Sequence, residues 1–178
     1  MFNLSDTVTV SGAEYPVRTD FRVILEIFVM LDDPDLSDAD KTEALLRMFY
    51  SERPPDAEAA LQAFTDFVDP RHGSQGKKSS GRLIDWSQDF DLMVAPINHI
   101  LGFECRAAEY LHWRTFLSAY LEIPPESVFA RVLRIREKLR TGKKLEKNER
   151  SWYHKNRDLV YLKPKLSRDE EEIISSWT

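Results

Sequence analysis

Cys105 and His112 have the best claim on covalent chemistry in this sequence. A thiolate becomes a nucleophile when a base or cation lies beside it, and seven residues span about two helical turns. Such a pair also needs a third group to orient the base, and nothing else in the sequence supplies one. A core or interface histidine bonded to a carbonyl is the better account of His112. The other histidines, His72, His99 and His154, are scattered. They form neither a His-Glu-x-x-His motif nor a set with paired cysteines, so no metal site is predicted. Asp85, Asp89 and Asp91 lack the glycine and the terminal bidentate acid of a calcium loop. They read better as helix-start acids favoured by the helix dipole, forming a polar rim around Trp86 and Phe90. Phosphate-binding, dinucleotide-binding and nucleophile-elbow glycine patterns are all missing. The sequence therefore predicts a non-enzymatic protein with no catalytic residues and no cofactor.

Charge supplies the stronger signal. The 178 residues hold 25 Lys and Arg against 30 Asp and Glu, a formal net charge of −5. Residues 1–70, 71–130, 131–168 and 169–178 carry −10, −1, +10 and −4 respectively. Such separation points to electrostatic steering between parts of a molecule or toward a partner. The basic region 131–168 holds 14 Lys and Arg with Trp152, Tyr153 and Tyr161 among them. Phosphate contacts and base stacking on those rings would suit nucleic acid. Against that, the chain as a whole is acidic, four acids lie inside the segment, and no nucleic-acid motif is present. A solvated helical face or a protein-docking face fits better. An acidic front docking on the basic segment of a second copy would give a heterologous contact, the basis for a homo-oligomer.

The elements that must position these groups are mostly helical. Thr7-Val8-Thr9-Val10, a turn at Ser11-Gly12-Ala13-Glu14 and Tyr15-Pro16-Val17 predict a small hairpin within an arm spanning 1–18, with Pro16 confined to an edge. From Thr19 or Asp20 an apolar stripe of Phe21, Ile24, Leu25, Phe28 and Leu31 predicts a helix. A second follows Ser37 and buries Leu45, Leu46 and Phe49. A third covers Ala57 to Val68. Residues 69–81, rich in Gly and Ser and without an apolar residue, read as a flexible loop or linker. Trp86, Phe90, Met93, Val94 and Ile97 begin the next helix, with Pro96 kinking or ending it and Gly102 as a C-cap. An aromatic helix is expected from Arg106 to Leu121, and an amphipathic one on Val128, Val132, Ile135 and Leu139. Arg136 and Arg140 are placed on the surface of that second helix. A long polar helix from Leu145 to about Leu162 and a short acidic helix after Ser167 complete the chain. The fold class is mainly α, a single helical domain over 1–178 with six to eight helices and a small N-terminal β-hairpin.

The lone cysteine excludes a disulfide scaffold and suits a reducing compartment. The apolar run Val23 to Leu31 contains Glu26 and is about half of the roughly 20 residues a membrane span needs. A soluble protein of the cytoplasm, with no membrane partner, is the expectation.

Several short runs occur in a telling order: Asp20-Phe21-Arg22-Val23-Ile24-Leu25, the Leu36-Ser37-Asp38 to Leu45-Leu46 block, Asp85-Trp86-Ser87-Gln88-Asp89-Phe90-Asp91-Leu92, Tyr110-Leu111-His112-Trp113 with Phe116, and Ile135-Arg136-Glu137-Lys138 to Gly142-Lys143-Lys144-Leu145. Together they resemble the gene-fifteen-product family of tailed phages and prophages of Gram-positive bacteria, from about Thr19 to Leu162. The resemblance implies a tail-morphogenesis protein acting in the cytoplasm of the bacterial host. Its favoured role is a tail assembly chaperone that holds the long helical tape-measure protein and helps recruit tail tube subunits. No catalytic residues come with the family. A helix-in-groove contact would cover the apolar stripe of such a partner, with Tyr110, Trp113, Phe116 and Tyr120 as aromatic anchors and Arg131, Arg134 and Lys138 as a basic face. Core packing is the plainer use of any one of those aromatics. A nucleic-acid-binding phage protein and a structural subunit retained in the tail are the alternatives.

Overall fold

The computed structural model describes residues 3–69 and 82–177. Beyond Asp69, the expected linker lies outside the described residues. The chain opens with strands β1 (Thr7–Val10) and β2 (Ala13–Pro16), followed by helices α1 (Phe21–Leu31), α2 (Asp38–Phe49), α3 (Ala57–Val68), α4 (Trp86–Leu101), α5 (Trp113–Leu121), α6 (Val128–Arg140), α7 (Lys147–Lys155), α8 (Arg157–Val160) and α9 (Arg168–Ser175). The fold is mainly helical with an N-terminal antiparallel hairpin, as the sequence predicts. Nine helices are present among the described residues, because the long polar helix expected from Leu145 is divided. Asn156 causes the division: its backbone leaves the helical region at φ −130°, ψ 38°, and its side chain donates back to the Trp152 carbonyl at 2.8 Å.

These elements gather into two compact units. The first comprises Met1–Lys78, Glu109–Phe116 and Lys165–Thr178, and the second Ser79–Ala108 and Leu117–Pro164. In the first unit the hairpin register pairs Val10 with Ala13 and Thr7 with Pro16. The two loop residues, Ser11 and Gly12, both have positive φ (49° and 85°), the geometry that matches the twist of a two-residue hairpin. Ser11 Oγ donates to Asp56 Oδ2 at 2.9 Å, and the same carboxylate caps α3 by accepting from Ala59 N. The hairpin turn and the start of α3 are therefore tied through one side chain.

Asp20, Ser37 and Asp56 cap α1, α2 and α3 through their side chains. Arg18 gathers the carbonyls of Arg47, Met48 and Tyr50 at the end of α2. Phe21, Ile24, Ile27, Leu46, Phe49 and Phe64 are buried together with Trp113 and Phe116. The Phe21 and Phe116 rings stack at 4.5 Å, Phe28 meets Trp113 edge-on at 5.7 Å, and Trp113 Nε1 donates to the Val68 carbonyl at 3.1 Å. Each such ring contributes on the order of 1.5–3 kcal/mol on burial, and the indole N–H has its acceptor.

The aromatic helix expected from Arg106 begins only at Trp113. Residues 106–112, its expected first turns, are turn and bridge instead. Phe21 N donates to the Leu111 carbonyl, and Trp113 N to the Thr19 carbonyl, forming a bridge between Asp20 and His112. Asp20 Oδ2 accepts from Leu111 N, and the Tyr110 and Thr19 hydroxyls are 2.6 Å apart. These long-range bonds outweigh local helix propensity.

In the second unit α4 starts at Asp85, which accepts from Ser87 N and Gln88 N, runs through Pro96, and ends at left-handed Gly102. Met93, Val94 and Ile97 pack in its core with Val132, Ile135 and Val160. Arg136, expected on the surface, is buried there. Its guanidinium meets both oxygens of the buried Asp89 carboxylate (2.6 and 2.9 Å) and donates to the carbonyls of Leu83, Leu159 and Val160. All five guanidinium N–H groups are thereby used.

Candidate protein-docking site

Cys105, His112 and two of the aspartates near Trp86 are engaged within their own units, and His72 lies outside the described residues. Cys105 is buried in the second unit, where its backbone N–H donates to Asn98 Oδ1. Burial pushes its thiol pKa up, and the negative charge of Glu104 adds to the effect. That is the reverse of what a nucleophile needs. His112 belongs to the first unit. Its Nε2 bonds the Ser5 carbonyl at 3.2 Å and its Nδ1 accepts from Arg114 N at 3.0 Å, so the Nε2-protonated tautomer fits both contacts. Of the three aspartates near Trp86, Asp85 caps α4, Asp89 pairs with Arg136, and Asp91 is exposed. Among the described residues no group of three His, Cys, Asp or Glu side chains is placed to hold a metal ion.

The aromatic anchors predicted from the sequence differ in burial and are divided between the two units. Tyr110 precedes α5 and is 57% exposed, whereas Trp113 and Phe116 belong to the core of the first unit. Tyr120 lies in the second unit, half-buried, with its ring 6.0 Å from Phe129 and 5.6 Å from Trp86. Residues enclosed by their own core are not available to a partner, which leaves Tyr110 and part of Tyr120 from that set.

The predicted basic residues do come together. Arg131, Arg134 and Lys138 recur on α6 at three- and four-residue steps and face α7 across a cleft of about 230 Å³, lined by Arg131, Arg134, Asn148, Glu149 and Trp152. Lys138 Nζ reaches both Glu149 oxygens at 2.7 Å, and Arg134 Nε stands 3.6 Å from the same carboxylate. The Lys138 bond, followed by the Glu146 N–H that completes a capping box on α7, holds the Glu149 carboxyl below its usual range. Arg131 lies over the Trp152 ring at 5.4 Å, a cation–π contact. Trp152 and Glu149 complete the cleft although neither was among the candidate site residues. Their signal in the sequence is a tryptophan and the one acid of a helix rich in basic residues.

The description "Bacteriophage Gp15 protein" matches this chain over residues 3–162. The chain belongs to that family. The match takes in the hairpin, α1 to α8 and the whole of the α6–α7 cleft, and stops before α9. No curated protein and no solved structure matches the chain. Membership in the Gp15 family points to a phage structural or morphogenesis protein, and the family is not known for catalysis. Among the described residues no helix is long and apolar enough to cross a membrane.

Proposed function

We propose that this Gp15-family protein is a non-enzymatic tail assembly chaperone that binds the tape-measure protein and helps recruit tail tube subunits, with the α6–α7 cleft as its contact face. The observation that carries the reading is the Arg131–Trp152 pair at a cleft whose rim offers exposed Arg134. Tryptophan and arginine are the residues most enriched at interface hot spots, and this pair is already held in one geometry before a partner arrives. A long amphipathic helix carrying acids beside its apolar stripe is the complementary partner.

Nucleic acid is the weaker reading of the same region. Arg136 is consumed by Asp89, and Lys138 and Arg134 are drawn to Glu149, so part of the basic surplus is spent inside the protein. Co-expression with helical fragments of the tape-measure protein tests the proposal. The wild-type chain should co-purify with at least one fragment, and Trp152→Ala or Arg134→Glu should weaken capture about tenfold or more, as expected on losing a hot spot of about 1.4 kcal/mol or more. Failure of every fragment to bind, or undiminished capture by both variants, would overturn it. Retention on DNA or RNA in a low-salt filter assay would favour the nucleic-acid reading, and recovery of the protein from mature virions would favour a structural tail subunit.

A further inference from the structure

The second unit holds another cleft, of about 240 Å³, whose walls are Leu83, Leu139, Val160 and Leu162 and whose rim carries Tyr161 and Arg140. Leu139 and Tyr161 are exposed large hydrophobic residues. Arg140 is exposed and has no ion-pair partner among the described residues. Arg82 also lines this cleft, but its guanidinium is taken up by the Asp85 carboxylate and the Lys163 carbonyl, which leaves Arg140 as the open cation there. An apolar slot with a cationic group at its mouth suits a large apolar side chain carried by an acidic segment.

The chain contains such a segment. Helix α9 is fixed at its start to the first unit, where Arg168 N donates to Asp35 Oδ1 at 3.0 Å, and a capping box between Ser167 and Glu170 sets its first turn. Its far end presents Ile173 (54% exposed) and, in the turn that follows, Trp177 (85% exposed). The two stand four positions apart, both open to solvent. The last ten residues carry four acids and no Lys or Arg. The cleft has room for one indole rather than for a whole helix, and Trp177 is the indole left uncovered.

We propose that the Trp177-tipped acidic helix α9 of one copy docks into the Leu139–Tyr161 cleft on the second unit of the next copy. Trp177 fills the apolar slot, while Asp169 and Glu172 face the cationic rim at Arg140. The contact is heterologous, because the surface given differs from the surface received, so it extends into rings or open arrays. It uses a different cleft from the tape-measure contact proposed above and is measured without any tail protein, so either can fail alone.

Light scattering on the purified full-length chain tests it. The mass should rise above the 20.8 kDa of one chain as concentration increases, and fall back several-fold in association constant in high salt. Two exposed double variants separate the partners: Ile173→Ser with Trp177→Ser removes the tail and leaves the cleft, and Arg140→Glu with Tyr161→Ala does the reverse. Each alone should be monomeric, and an equimolar mixture should stop at a one-to-one dimer, because only one productive contact remains per pair. A wild-type monomer at all concentrations, variants that still self-associate, or a mixture that stays monomeric would each overturn the proposal.

Discussion

Replacing Asp89 by alanine should cost the second unit about 3–4 kcal/mol, toward the lower end of what is typical for breaking a buried ion pair. The side chains of Asp89 and Arg136 are 1% and 4% exposed, so water cannot take over for a missing partner. Asp89→Ala removes two charge-assisted bonds and the acceptor for Asp85 N, but the guanidinium keeps the carbonyls of Leu83, Leu159 and Val160. Those three acceptors solvate the orphaned charge in part, which is why the lower end applies. Arg136→Met is the harsher change: it leaves a buried carboxylate with one N–H donor and three carbonyls with none, for about 5 kcal/mol or more. The double variant Asp89→Leu, Arg136→Met buries no charge yet still orphans the three carbonyls. It should cost about 2–4 kcal/mol, well below the sum of the singles. Urea unfolding followed by circular dichroism reads this directly, as a midpoint lowered by about 1–4 M for Asp89→Ala at a slope of roughly 1–3 kcal/mol/M. High salt should not rescue the loss, since the pair is shielded from screening. A cost below about 1 kcal/mol for Asp89→Ala, or strictly additive singles, would refute the assignment of Arg136 as the polar centre of this unit.

Tyr50 is buried, its hydroxyl donates to the Ala60 carbonyl at 2.8 Å, and burial pushes its pKa up to about 12. Between its ordinary value of 10 and that figure the unfolded chain loses the proton while the folded chain keeps it, so stability should fall as pH rises through this window, and Tyr50→Phe should flatten the fall in a pH series of melting curves. On the acid side, bonds from Arg106 hold Glu104 at about 2 and Lys138 lowers Glu149, so both contribute stability above their unfolded values that is lost as pH drops through the folded ones. Acid titration of Glu149→Gln should lack part of that loss. Ellman's reagent should label Cys105 slowly in the native protein and at once in denaturant, because the thiol is buried and its pKa raised; fast native labelling would contradict the packing of that residue. Glu149→Ala removes the capping box of α7 as well as the Lys138 contact, and should cost about 1 kcal/mol in chemical denaturation.

Local chemistry carries much of the fold into the sequence. The hairpin follows from alternating β-branched residues and a glycine where φ must be positive, and α2, α3 and α9 start where Ser37, Asp56 and Ser167 offer cap oxygens. What local chemistry cannot show is a partner far along the chain. Tyr110, Leu111 and His112 fit a helical aromatic stripe as well as an extended strand, and the choice is made by Thr19 and Asp20, about 90 positions away. The buried pair did leave a trace. Arg136 is four residues after Val132 and beside Ile135, and Asp89 is four before Met93, so each charge sits on the apolar stripe of its own helix. Opposite charges on two buried stripes are the mark of an internal ion pair, and the usual assignment of arginine to a solvated face hides it. The α6–α7 cleft was half legible for a related reason: the spacing of Arg131, Arg134 and Lys138 defines one face, but only the fold shows Trp152 and Glu149 facing it.

The charge pattern along the chain changes meaning once the units are known. The acidic front and the acidic tail, far apart in sequence, belong to the same unit, whose described residues hold 8 Lys and Arg against 20 Asp and Glu, a net charge of −12. The other unit takes the basic segment as far as Pro164 together with Asp85, Asp89, Asp91 and Glu104, and its described residues hold 14 against 10, a net of +4. Part of that positive charge is answered inside the unit, at Arg136 by Asp89 and at Lys138 and Arg134 by Glu149. The +10 segment is therefore not a uniform polycation awaiting a polyanion. Arg140, without an ion-pair partner among the described residues, stands beside an apolar slot, and Arg134, 3.6 Å from Glu149, stands beside Trp152; charges set next to apolar pockets recognise acidic side chains on apolar helices better than they recognise a phosphate backbone.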